Sequence, residues 1–192
     1  GSTNNSATAG IFPLGGAIFA GSNWIAIDNC TFNNNVVFNG NSGANAGAWG
    51  GAIADGNLFL TICEFNNNSA SSAGSKGGGG AIANGDSVTG NRLIFVGNYA
   101  GASAGGGGAF QHSGNAIIGN SVFFNNVADN NGGAFWNNGG TLYLLACTVV
   151  SNSAQDAPSG GGLYLAGDAF ISGNIIFNNN GPNLASGGDI AR

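Results

Sequence analysis

The residues able to carry acid–base, nucleophilic or metal chemistry in this chain are few, and they are scattered. The acids are Asp28, Asp55, Glu64, Asp86, Asp129, Asp156, Asp168 and Asp189, the one imidazole is His112, and the cations are Lys76, Arg92 and Arg192. Polysaccharide cleavage needs paired carboxylates, or carboxylates holding Ca²⁺ beside a base. No such pair is adjacent in sequence, so the acids are expected at solvated turns and the cations show no convergence. The three cysteines, Cys30, Cys63 and Cys147, contain no CxxC spacing, and a single histidine cannot complete a zinc site, so no metal is expected. Gly77–Gly80 and Gly105–Gly108 look like phosphate loops, but no GK[ST] follows them, and no cofactor site is expected. Trp24, Trp49 and Trp136 are the side chains best able to stack on a sugar ring.

Composition narrows the elements that could hold these groups. The chain has 192 residues, about one domain, and only 6% of them are charged. Glycine occurs 38 times, yet hydrophobic residues reach 43% and phenylalanine occurs 13 times, which disfavours disorder. With three prolines and no strict Gly period, it is not collagen-like. A folded chain with very many turns remains, because Gly and Asn tolerate positive φ most cheaply. A net charge of −5 with no Lys/Arg cluster argues against nucleic acid. No apolar run approaches a membrane span, and the polar start shows no signal peptide, so it reads as a mature or trimmed N-terminus.

The turns fall into a repeat. A Gly-Gly-Ala-[Ile/Phe] tetrad covers Gly15, Gly16 and Ile18; Gly50, Gly51 and Ile53; Gly79, Gly80 and Ile82; Gly107, Gly108 and Phe110; and Gly132, Gly133 and Phe135. A variant is assigned to Gly161, Gly162 and Tyr164. A second mark, Phe-x-x-Asn, pairs Phe32 with Asn35, Phe65 with Asn68, Phe95 with Asn98, Phe123 with Asn126 and Phe177 with Asn180, while Val149 and Asn152 fill the remaining slot. Gly16 to Phe32 spans 16 residues and Gly51 to Phe65 spans 14, so this segment is nearly constant. Asn35 to Gly51 spans 16 and Asn126 to Gly133 only 7, so the other segment varies as a loop does.

Within the constant segment the columns alternate with period two. Ile25 and Ile27, Leu58 and Leu60, and Leu142 and Leu144 precede the Phe column by seven and five positions. Cys30, Cys63, Leu93, Ser121, Cys147 and Ile175 precede it by two, giving a buried thiol column in which the first pair lies on adjacent repeats. Asn29, Asn120 and Asn174 are placed three before it, a bend that redirects the chain within the sheet. Short strands so spaced cannot pair locally, but each can pair with its equivalent one repeat away. The expected fold is an all-β, right-handed parallel β-helix (β-solenoid): about six coils, three short strands per coil and variable loops on one side. Residues 1–192 form a single domain with uncapped partial coils at both ends, since Asn4-Asn5-Ser6-Ala7 matches Asn67-Asn68-Ser69-Ala70 and Gly187-Gly188-Asp189-Ile190 opens another coil. In this frame Asp55 and Asp86 lie on adjacent coils, and His112 shares the offset of Asp55.

The tetrads and Phe-x-x-Asn marks resemble the GGA[I/L/V] and FxxN repeats of the chlamydial polymorphic membrane proteins, over nearly the whole chain. That resemblance implies a cell-surface β-helix passenger serving adhesion, although the family's C-terminal membrane barrel is missing from this sequence. The functional expectation is a non-enzymatic, secreted structural protein, stacking head to tail into a surface or extracellular fibre or forming an adhesin-like segment. Outward apolar columns, Phe59, Ile117, Tyr143 and Ile171 in one and Ile94, Val122 and Ile176 in another, suggest lateral contact with copies of itself. The alternative is a carbohydrate-binding or carbohydrate-active β-helix that takes surface glycans as partners. Ice binding ranks last, because the threonines form no column.

Overall fold

The computed structural model describes residues 2–3, 6–8, 13–43, 46–74, 76–101, 105–155, 160–181, 184–186 and 190–191. Asn4, Asp156, Gly187, Gly188, Asp189 and Arg192 lie outside the described residues. The chain winds as a parallel β-solenoid, in which each strand pairs with its equivalent one coil away and in the same direction. No helix occurs among the described residues.

Four strands per coil are formed rather than three. The tetrad strands (Ile53–Ala54, Ile82–Asn84, Phe110–His112) build a seven-stranded sheet. The five-residue strands (Asn57–Thr61, Ser87–Asn91, Asn115–Gly119) build a second, and the aromatic strands (Glu64–Asn66, Ile94–Val96, Val122–Phe124) a third, each of seven. The fourth sheet has six strands, among them Ser69–Ser72, Tyr99–Gly101 and Val127–Ala128. It escaped the sequence pattern because its inward residues, Ala70, Ala100, Ala128 and Ala154, are too small to stand out in a glycine-rich segment. The number of stacked strands, seven in three sheets, also differs slightly from the six coils expected.

Single left-handed residues make the corners. Asn29, Ile62, Arg92, Asn120, Ala146 and Gly173 hold φ between 51° and 67° where the five-residue strand meets the aromatic strand. Asn34, Asn67, Gly97, Asn125, Ser151 and Asn178 do the same at the next corner. Each tetrad needs two glycines for different reasons. Gly50 has φ +64°, whereas a Cβ on Gly51 would sit 2.0 Å from the Gly80 carbonyl oxygen, so the coils approach too closely there for any side chain.

Inside, like residues stack on like. Phe32, Phe65, Phe95 and Phe123 form a column with ring centroids 4.8–4.9 Å apart, and Phe110 and Phe135 form a second with 4.8 Å. The columns meet edge to face, Phe95 against Phe110 and Phe123 against Phe135, both at 6.1 Å. Ile53, Ile82, Leu58, Leu60, Leu142 and Leu144 complete the buried core.

The final coil departs from the assignment made on sequence by one residue. Leu163, not Tyr164, stacks on Phe135, and Tyr164 pairs with Trp136. Ile176, not Phe177, continues the column below Val149, and Phe177 is 66% exposed. Asn179, not Asn180, accepts the hydrogen bonds of Asn152. Gly160-Gly161-Gly162 and Asn178-Asn179-Asn180 permit either frame as sequence, and burial selects between them, because a one-residue slip reverses every side chain. The neighbouring columns move with it. Asn174 replaces Ile175 beneath Cys147, Gly173 replaces Asn174 at the corner, and Phe170 and Ile175 replace Ile171 and Ile176 on the outer surface.

Candidate functional site

Three places can be judged as sites: the polar corner beside the Phe column, the outer face of the tetrad sheet, and the outer apolar ladders. At the corner, Asn35, Asn68, Asn98, Asn126, Asn152 and Asn179 form a buried ladder. Each Oδ1 from Asn68 onward accepts both the backbone N–H and the Nδ2–H of the preceding asparagine, at 2.8–3.0 Å. The amides of Asn68, Asn98, Asn126, Asn152 and Asn179 also donate to the carbonyls of Phe32, Phe65, Phe95, Phe123 and Val149. No capacity is left over for a ligand, so this corner is structural.

The cysteines are structural as well. All three are free thiols, with Cys63 and Cys147 buried and Cys30 only half-buried, so the expected buried column is incomplete at its first member. Burial pushes the Cys63 and Cys147 thiols up from the ordinary range, which keeps them protonated and unreactive. Their Sγ–H groups donate to the Thr61 and Leu145 carbonyls at 3.2 and 3.3 Å. Further along the column, Ser121 Oγ and Asn174 Oδ1 accept from the Leu93 and Cys147 amides instead.

The tetrad sheet is different. Its outward positions, in register from coil to coil, are Ala54, Ala83, Gln111, Trp136 and Tyr164. Beside them the variable loops add a two-stranded ribbon, Gly47–Trp49 paired with Lys76–Gly78. Small residues open the space between ribbon and sheet. The Trp49 ring lies over Gly47, where a Cβ would come within 2.3 Å of it, and a Cβ on Gly78 would meet Gln111 Oε1 at 2.4 Å. The result is a cleft of about 400 Å³ lined by Leu14, Trp49, Asp55, Asn84, Gln111 and Ser113. A second cleft of about 180 Å³ adjoins it at Trp49 and Gln111 and is lined also by Lys76, Trp136 and Asn138. Asn84 Oδ1, Gln111 Oε1 and Trp136 Nε1 are all buried here without a hydrogen-bond partner.

Of the acids, only Asp55 lines this cleft, and its carboxyl is held above the usual range by burial and by Asp86. His112 does share the column of Asn84, but it turns inward, fully buried between Phe110 and Phe135. Burial lowers its imidazole to about 4; the Gly114 backbone opposes that shift without making a well-formed hydrogen bond, and both ring nitrogens stay unpartnered. His112 and Asp55 therefore do not form an acid–base pair. Among the described residues, no three His, Cys, Asp or Glu side chains gather in a metal-binding group.

Sequence reasoning named Trp49, Trp136, Asp55 and Asp86 but missed Gln111, Asn84 and the convergence of Lys76 on the smaller cleft. The signal was present one position after the tetrads, where Phe19 is followed coil by coil by Ala54, Ala83, Gln111 and Trp136. Trp24 stands apart from the cleft, exposed and stacked on Phe59 at 5.3 Å.

The third place is the outer apolar surface. Phe59, Ile117, Tyr143 and Phe170 project from the five-residue sheet, and Ile94, Val122, Phe124, Ile175 and Phe177 from the aromatic sheet, all exposed. Tyr143 and Phe170 stack at 4.8 Å, an ordered ladder open to solvent. The chain matches no family model, no curated protein and no solved structure.

Proposed function

We propose that this chain is a non-enzymatic structural β-solenoid of the cell surface or extracellular space that associates with copies of itself. It would serve as a fibre subunit or as an adhesin-like segment of the kind the repeat resemblance implies. The observation that carries this reading is the ordered ladder of exposed Phe59, Ile117, Tyr143 and Phe170 beside that of Ile94, Val122 and Ile175. Exposed apolar rows of this kind, interrupted once each by Thr89 and Thr148, mark an interaction surface. A second copy presents the same rows at the same strand spacing of about 4.8 Å, so the rows can interdigitate along their length. With 6% charged residues, little repulsion opposes that contact. End-to-end addition is supported by the uniform parallel pairing, since any coil offers the hydrogen-bonding pattern that every other coil accepts.

Electron microscopy and sedimentation of the purified chain test the reading. Fibres or oligomers are expected, with an axial repeat of roughly 34 Å for the seven stacked strands where stacking is end to end. The double variant Tyr143→Lys, Phe170→Lys should disperse the lateral assemblies. Monomers for the parent chain at micromolar concentration would overturn the proposal.

A further inference from the structure

The outer face of the tetrad sheet carries a site that a purely structural role does not use. From the geometry we infer that the groove between the Gly47–Trp49/Lys76–Gly78 ribbon and the column Ala83, Gln111, Trp136 binds a neutral oligosaccharide. The two clefts, about 400 and 180 Å³, adjoin at Trp49 and Gln111, which suits an elongated occupant crossing several coils. Trp136, which lines this groove, is only 9% exposed, and its Nε1–H has no acceptor. Gln111 Oε1 is an acceptor without a donor beneath Gly78, and Asn84, whose Oδ1 also lacks a donor, lines the same cleft. Buried groups in this condition are destabilising, and a ligand that pairs them recovers that cost.

The mixture of groups identifies the ligand chemistry. One orphaned donor and two orphaned acceptors, interleaved with the indoles of Trp49 and Trp136, match vicinal hydroxyls, which both donate and accept, on a ring whose C–H face stacks on an indole. An anion would find one cation, Lys76, at the smaller cleft, but would face the Gln111 acceptor oxygen and the Asp55 carboxyl in the larger one. An apolar ligand would leave all three orphans unpaired. Asp55 and Ser113 on the rim supply further hydroxyl partners.

Tryptophan fluorescence titration tests the inference in a Trp24→Phe background, where only Trp49 and Trp136 report. The probes are the hexasaccharides of cellulose, chitin, mannan, xylan and laminarin, with oligogalacturonate as the acidic counterpart. At least one neutral probe should shift the emission with Kd between about 10 µM and 1 mM. Gln111→Ala should weaken it by roughly tenfold or more, and Trp136→Phe, which removes the donor and part of the stacking ring, by about three- to tenfold. Phe170→Ala on the distant ladder should leave Kd unchanged, which separates this site from the self-association surface. Gln111→Ala alters an outward side chain, so a folded far-UV spectrum is expected and the test stays valid if Trp136→Phe misfolds. Binding by no neutral probe, binding by oligogalacturonate alone, or binding indifferent to Gln111→Ala would each overturn the inference.

Discussion

Two polar columns run along the same solenoid and meet opposite fates. At the Phe corner, every asparagine from Asn68 to Asn152 both accepts from one neighbour and donates to the other. On the tetrad sheet, Asn84 and His112 in one column and the outward Gln111 and Trp136 in the next leave five buried polar atoms unpaired. The difference teaches where to look for function in a repeat protein. A ladder that satisfies itself specifies register, and a column that does not is stabilised only by something outside the chain.

The comparison can be broken most severely at the corner. Asn98→Ala removes the acceptor of Asn68 and the donors to Phe65 and Asn126, and should cost about 3–5 kcal/mol, read from urea unfolding. The pH dependence of the tetrad column ranks next. His112 is lowered to about 4 from 6.5, so between these values the unfolded chain binds the proton that the native chain refuses. Stability is then complete above pH 6.5 and falls as pH drops towards 4, by on the order of 3 kcal/mol. His112→Asn, matching its neighbours Asn84 and Asn137, should abolish that slope in unfolding measured across the window.

The register of the last coil separates its neighbours in sequence. Ile176→Asp should cost about 2 kcal/mol by placing a charge in the core column, whereas Phe177→Asp should change stability by no more than about 0.5 kcal/mol. A smaller gain is available at the corners. Ile62 holds φ 52°, a conformation its five column-mates supply with Asn, Arg, Ala or Gly. It is exposed, so Ile62→Asn loses no packing and should stabilise by about 1 kcal/mol, seen as a raised Tm.

These contrasts also show what was legible in the sequence. Large residues at fixed spacing announced themselves: the Phe column, the Asn ladder up to Asn152 and the tetrads are placed as the repeat implies. The fourth strand did not, because alanine facing inward looks like loop composition. The last coil misled because Gly160–Gly162 and Asn178–Asn180 are locally degenerate and only burial of Leu163 and Ile176 chooses the frame. The groove was half legible. Trp49 and Trp136 were visible as stacking residues, but their meeting depends on the ribbon formed within loops of unequal length, which repeat spacing cannot encode.

The most direct test sets one member of each column against the other. Urea unfolding of Asn98→Ala and Gln111→Ala, beside the parent chain and without ligand, should show a loss of about 3–5 kcal/mol for the first and no loss, with a gain of up to about 1–3 kcal/mol, for the second. Equal losses would contradict the account, for Gln111 would then be holding the coils together as Asn98 does, and the groove would be part of the scaffold.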